Sequence, residues 1–407
     1  MQAEKKSIYS ISILTISLVS LLFILCFSFY LSSSSSPSSA PRSTTLTFLS
    51  NFSSAPPPPP SFAYLLSGSD GDAPRLLRLL SALYHPRNRY LLHLDLSASH
   101  DQRLRLASSI RSSFPPSSSN VAVVGRPGHS NPRGSSTLSA SLHGAAAALR
   151  LWPDWDWFVT LDASAYPIVT QDDLLHVFSY LPRDLNFVQH SSHIGWRESR
   201  RLKPIIVDPG LHLSARGAVF YATQRRDLPD AYKIFTGPNS VILSREFTEF
   251  CIMGVDNLPR TLLMYYANTP AAHKNYFQTV ICNSVQFNRS IINHNLHHVQ
   301  WDNSSKVDPR VLGVDDLTNM TLSGAAFAMR FSADDPVLDL IDQVVLNRGP
   351  GQFVPGGWCL GRGSGDPCRV WGDPDILRPG PGARRLERAI VDLLSNESFR
   401  NNKCIWE

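Results

Sequence analysis

The sequence lacks the motifs that mark several large function classes. No Gly-x-Gly-x-x-Gly follows a strand pattern, and no phosphate-loop Gly-Lys-Ser/Thr occurs. These absences argue against a dinucleotide or ATP site. There is no long Lys/Arg run: 38 basic and 33 acidic residues are spread along the chain for a net charge of +5. No nucleic-acid partner follows from so diffuse a balance. Cysteine is scarce, at six residues with no Cys-x-x-Cys spacing. A thiolate zinc site is therefore not expected. His294, His297 and His298 stand close together but without a companion Cys or Glu. They read as packing or sugar-contact groups, and no metal site is assigned. No internal repeat is present.

What is there begins with location. Ile8 to Leu31 is apolar and uncharged, with Lys5 and Lys6 before it. A bilayer needs about 20 such residues, and the basic flank places the N-terminus on the cytoplasmic side. A cleaved signal peptide is the rival reading, kept open by the small residues Ser32 to Ala40. Residues 32–61 are Ser- and Pro-rich, a composition that cannot bury enough apolar surface to fold. The organisation expected is a cytoplasmic tail (1–7), a membrane anchor (8–31), a stalk (32–61) and a lumenal domain (62–407). Asn-x-Ser/Thr triplets at Asn51, Asn288, Asn303, Asn319 and Asn396 fit a lumenal region. Beyond the anchor five cysteines remain, so up to two disulfides and one free thiol are expected. Cys359 and Cys368 flank a Gly-rich loop and form the preferred pair.

The lumenal region is patterned as α/β. "FAYLLSG" reads as a strand, "APRLLRLLSALYHP" as a helix, and "YLLHLDL" as a second strand. That βαβ unit implies a parallel sheet. "NVAVVG", "TLSASLHGAAAALRLW" and "DWFVTL" add a strand, a helix and a strand. The order β-α-β-β-α-β places a ligand outside the carboxyl ends of the strands. Ser67, Gly68, Asp95 and Asp162 fall there. Asp154 and Asp156 spell Asp-x-Asp but precede their strand, so they read as a surface turn.

Many stretches resemble one family in the same order. They include "YLLHLDLSAS", "DWDWFVTLDASAYPIVTQDD", "IGWRE", "KPIIVDPGL", "DNLPRTLLMYYANT", "YFQTVICNS", "PGGWCLG" and "RPGPGARRLE". The family is the plant branch of the core-2/I-branching β-glycosyltransferases (family 14), which includes β-glucuronosyltransferases acting on arabinogalactan glycans. The resemblance runs from about Phe62 to Cys404. It implies a GT-A-like nucleotide-sugar-binding fold behind one N-terminal transmembrane helix, in a single-pass type II Golgi protein. It also implies inverting transfer from a UDP-sugar, with no metal cofactor required. Basic side chains would neutralise the departing diphosphate, and a carboxylate would take the acceptor hydroxyl's proton.

Carried over by residue, Ser67, Gly68, Ser69 and Asp95 match the donor-binding strand ends. Arg133 and Gly134 match a donor-side loop. Arg330 falls where the family has a diphosphate-contacting Lys, and His297 falls at a second basic position. Trp196 and Tyr276, with Tyr265 and Tyr266, could stack on acceptor sugars or simply pack. The departures fall at site-facing segments. Lys274 stands at the family's Glu base, Ala165 at a family Asp, and "GPNSVILSR" where the family has Gly-Ser-Ala-Trp. Two readings follow. One is an active transferase using another base, His273 or Asp162, or Lys274 itself if its pKa fell by several units. The other is a catalytically impaired relative that partners active Golgi transferases.

Overall fold

The computed structural model describes residues 57–114, 119–212, 218–302, 308–361, 365–395, 399, 403 and 404. The tail, the apolar run Ile8–Leu31 and the stalk up to residue 56 lie outside the described residues. Among the described residues no helix is long and apolar enough to cross a membrane.

The frame is set by four parallel strands: β1 (Phe62–Gly68), β2 (Arg89–Leu94), β3 (Val121–Val123) and β4 (Trp157–Asp162). They are joined to β5 (Ala165–Pro167), β6 (Asn186–Phe187), β7 (Pro204–Val207), β8 (Phe220–Arg225), β9 (Ile242–Ser244), β10 (Ile291–Ile292), β11 (His297–His298) and β12 (Phe327–Met329). Seven strands form one sheet in the order β10-β6-β9-β4-β1-β2-β3. β11, β12 and β5 form a second sheet, and β7 pairs with β8 alone.

The central strands are near-continuous apolar runs because helices cover both faces. Period-two alternation then splits their side chains between two cores. Tyr64, Leu66, Tyr90, Leu92, Trp157 and Val159 pack with the helices Ala73–Leu83, Gln171–Ser179 and Pro381–Leu394. Ala63, Leu65, Leu91 and Phe158 pack with the helices Ser136–Leu151, Arg245–Met253, Asn257–Ala267 and Tyr276–Asn283.

Two expectations change. A helix, His100–Ser113, lies between β2 and β3, so the order is β-α-β-α-β-α-β. Its sequence is rich in Ser and Arg, and its buried apolar contacts reduce to Leu106 and Ile110, while Leu104 is exposed. Ser99 caps it by accepting from the Gln102 N–H. The stalk also ends before Ser61. The Pro58 carbonyl accepts from Arg183, the Pro60 carbonyl from Arg87, and the Ser61 N–H donates to Asp156. Ser61 is buried, so the last part of the Pro-rich segment belongs to the folded body.

The C-terminal segment is held by the acids of "TQDD". Thr170 and Asp173 form a capping box at the helix Gln171–Ser179. Asp172 Oδ2 accepts from the Gly357 and Arg378 N–H groups, and Asp173 Oδ1 from Gly380. Disulfides join Cys359 to Cys368 and Cys282 to Cys404, and Cys251 keeps a free thiol.

Candidate active site

The carboxyl ends of β1, β2 and β4 lie side by side. Ser67 is in register with His93 and Asp162, and Gly68 with Leu94. The chain then leaves each strand through a shared pair of bonds: Asp95 N–H to the Gly68 carbonyl at 3.0 Å, and Ala163 N–H to the Ser67 carbonyl at 2.8 Å. Gly68 is required by close approach. A Cβ there would stand 2.9 Å from the Asp72 Cβ at the start of the following helix. Ser69 gives both its N–H and its hydroxyl to Asp72 Oδ2.

Both edge acids serve local turns first. Asp95 is buried; Oδ1 accepts from Ser97 N–H at 2.9 Å and Oδ2 from Ser130 N–H at 3.3 Å. Asp162 Oδ1 accepts from the Ser164 N–H at 2.7 Å and from its hydroxyl. Among the described residues, no donor to Asp162 Oδ2 is present.

β12 delivers the positive charge. Met329 pairs with Ala165, and Phe331 N–H donates to the Ser164 carbonyl at 3.0 Å. Arg330 sits between these two anchors and is exposed. It is thereby held against the Asp162–Ser164 turn. His297 lies on the neighbouring strand β11, and its Nδ1 contacts the Asn295 carbonyl at 2.8 Å. Burial pushes its imidazole down to about 4, against the opposing pull of Asp162. It is neutral at neutral pH. Burial therefore opposes the positive charge expected at this second basic position.

A second cluster joins this edge through the loop 130–134. Ser130 binds Asp95, while the Arg133 and Gly134 carbonyls accept from Ala271 and Ala272 at 3.1 and 3.2 Å. Gly134 leaves room for Asp208: a Cβ there would lie 2.0 Å from Asp208 Oδ2. Ala271 takes a left-handed conformation (φ 49°), which starts the short turn Ala272–Lys274. Lys274 is exposed, and its carbonyl accepts from Gly237 at 2.8 Å. His273 is buried with Nδ1 unpartnered. Burial, then Lys274 and Arg201, push its imidazole down to about 3. So weak a base, sealed in the core, is poorly suited to take an acceptor's proton.

Sequence reasoning missed a carboxylate that feels the charge of Lys274. Glu198 lies in the helix Trp196–Leu202, within "IGWRE", a stretch that carried resemblance but no assigned role. Its carboxylate is forked by Arg201 and accepts from the Thr236 hydroxyl at 3.3 Å. Burial raises this carboxyl, but Arg201, Thr236 and Lys274 outweigh burial and hold it below the usual range. Arg201 continues to the Pro270 carbonyl and to Asn275 Oδ1, both at 3.2 Å. The pair thus braces both ends of the segment that carries Lys274.

Trp196 begins the same helix and is 65% exposed, whereas Tyr276 is 0% exposed. The Tyr276 ring packs in the core and its hydroxyl donates to the Pro259 carbonyl. Sugar stacking on Tyr276 is therefore corrected to a packing role, as its faces are already covered. Asp154 and Asp156 lie at the opposite end of β4. Asp154 pairs with Arg89; Asp156 receives the Ser61 N–H and faces Arg183 at 3.8 Å. A cleft of about 470 Å³ at that end is lined by Trp155, Asp156, Arg183, Arg245 and Glu249, away from the strand edge that gathers the site. His190, Cys282 and Cys404 bring three potential ligand atoms within 4.8 Å of one another, but both sulfurs are bonded to each other. A disulfide offers no thiolate to a metal. Asn288 and Asn319 are at least partly exposed. Asn51, Asn303 and Asn396 lie outside the described residues.

Comparison with known proteins gives a consistent family. The profile of the Core-2/I-branching enzymes matches residues 62–322. The β-glucuronosyltransferase GlcAT14A of Arabidopsis thaliana is 51% identical over 346 residues, 84% of this chain and 77% of that relative. GlcAT14C of the same plant is 45% identical over 345 residues, 84% of this chain and 85% of the relative. Xylosyltransferase 1 of Homo sapiens is 27% identical over 232 residues, 56% of this chain and 22% of the relative.

Proposed function

The chain belongs to the Core-2/I-branching enzyme family and has a glycosyltransferase-like α/β fold, and from that premise we propose that it transfers glucuronic acid from UDP-glucuronate to a β-galactan of the arabinogalactan type. The observation that carries this reading is Arg330, held on the Asp162–Ser164 turn at the ends of β1, β2 and β4. An exposed guanidinium at that edge would fork onto the β-phosphate oxygens as UDP departs. Under this reading no metal is called on, since Arg330 supplies the neutralising charge. Ser67, Gly68, Ser69 and Asp95 form the donor edge, with Asp95 suited to accept from the nucleoside.

Inverting transfer forms the new bond at the anomeric carbon as the bond to UDP breaks, and a base takes the acceptor proton. Asp162, with Oδ2 uncommitted, is the proposed base. We place the protein in the Golgi membrane as a single-pass type II protein anchored by Ile8–Leu31. The test is transfer from UDP-glucuronate and UDP-N-acetylglucosamine to galactan oligosaccharides. Transfer of glucuronate, lost in Asp162→Asn, supports the reading; no transfer to any galactan under conditions where GlcAT14A works would sink it.

A second reading has its own observation. Lys274 is exposed at the family's Glu position, and Glu198, the carboxylate that feels its charge, is already forked by Arg201. The chain would then be an inactive binding or assembly partner of active transferases. Activity that appears in Lys274→Glu and is absent in the parent supports this reading, and full activity in the parent refutes it.

A further inference from the structure

The turn Ala272–Lys274 is held by its backbone and ends in a charge with no ion-pair partner among the described residues. Its backbone is fixed from three sides: Ala271 and Ala272 donate to the Arg133 and Gly134 carbonyls, Lys274 N–H donates to the Ala271 carbonyl, and the Lys274 carbonyl accepts from Gly237. Lys274 is exposed and makes no ion pair among the described residues. The carboxylate that feels its charge is Glu198, and Arg201 is the partner of Glu198. Glu198 acts on it at longer range, but its two oxygens are taken by Arg201 and Thr236. Arg201 is in turn neutralised by Glu198 and tied to Pro270 and Asn275. Arg133, also exposed and without an ion pair among the described residues, flanks the turn through its carbonyl. Two exposed basic residues therefore belong to the turn and to the loop that braces it, and the oxygens of Glu198 and Asp208 are already bonded elsewhere. Trp196, on the helix that carries Glu198, is exposed and has the Arg200 guanidinium 5.8 Å from its ring centre, which adds a further cation to this helix.

We propose that Lys274 and Arg133 form a subsite for the carboxylate of a uronic acid residue on the glycan acceptor. The proposal rests on the reading of this edge as a sugar-nucleotide and glycan site. It assigns the diphosphate to Arg330 and the acidic sugar to the far side of the loop 130–134. A sugar carboxylate fits better than a second phosphate, because two single positive charges, one on the turn and one on the loop that braces it, match a singly charged group on a glycan.

The test is direct binding by the full-length chain, read by calorimetry. The probes are a neutral β-galactan oligosaccharide, the same oligosaccharide capped with glucuronate, inorganic phosphate and UDP. The capped glycan should bind about tenfold tighter than the neutral one, the scale of one charge-assisted contact. That advantage should vanish in Lys274→Ala and reverse in Lys274→Glu, with UDP affinity unchanged in both, and shrink in Arg133→Gln. In the parent it should fall as salt rises from about 0.15 M to about 1 M. Equal binding of both glycans overturns the proposal, as does an advantage that survives Lys274→Ala or high salt. Phosphate competing as well as the capped glycan overturns the assignment to a sugar acid. If UDP fails to bind while the capped glycan keeps its advantage, the sugar-nucleotide reading falls and the subsite stands.

Discussion

Asp208 caps the helix Ser136–Leu151 from a distant loop, taking the Ser135 and Ser136 N–H groups on Oδ2 at 2.8 Å each. Its Oδ1 accepts from Gly210 at 2.9 Å, and the residue is buried. A carboxylate at the positive end of a helix satisfies orphan N–H groups and the dipole together. The same helix packs on Leu65 and carries the loop 130–134 at its head. Asp208→Ala is expected to cost about 2–4 kcal/mol, since it leaves buried donors unmet. Gly134→Ala should be destabilising for a related reason, because its Cβ would overlap this carboxylate. Urea denaturation of both variants measures the losses, and an unchanged midpoint in either would contradict the account.

Arg330→Ala is expected to weaken UDP binding by about tenfold or more, the scale of a lost charge-assisted bond. Arg330→Lys should recover part of it, because it keeps the charge without the fork. Thermal stability should hardly move, as Arg330 is exposed. UDP titration of the two variants decides the matter.

Stability should rise with pH between about 5 and 7. His273 and His297 are pushed down to about 3 and about 4 by burial, so they stay neutral in the fold. Once unfolded they bind protons at the ordinary histidine value near 6.5. The unfolded state therefore takes up more protons below that value. Each histidine costs up to about 1.4 kcal/mol per pH unit until its folded pKa is reached. Glu198, held below the usual carboxylate range, adds its own loss only at more acidic pH. Unfolding midpoints of the parent and of His273→Gln across this range test it: the variant should show a shallower slope.

Cys404→Ser should cost about 3–5 kcal/mol in the loop-closure picture, because the Cys282–Cys404 bond spans 122 residues. Cys359→Ser should cost less, as its bond closes only 9 residues. Denaturation with and without a thiol reductant orders the two.

Trp196→Ala should raise the KM for a glycan acceptor, while Tyr276→Phe should leave it unchanged and cost about 1 kcal/mol of stability. Trp196 is open to solvent, whereas the Tyr276 hydroxyl is spent on Pro259. An acceptor KM that moves with Tyr276→Phe and not with Trp196→Ala would reverse the assignment.

The sequence by itself determined the frame. Runs such as "FAYLLSG" and "DWFVTL" can only be buried strands, and alternating strands and helices force a parallel sheet whose carboxyl edge collects Ser67, Asp95 and Asp162. The helix His100–Ser113 escaped because its apolar face is two residues wide. Only the tertiary structure decided which side chains are available for chemistry. Nothing local distinguishes Tyr276 from Trp196, or marks His297 as neutral, because burial is set by elements far away in the chain. The same holds for Asp208 at the head of a helix it does not belong to, and for Glu198 beside Lys274. Hydrophobic periodicity is a property of neighbours in sequence. The charge and reach of a site depend on which distant segments the sheet brings to one edge.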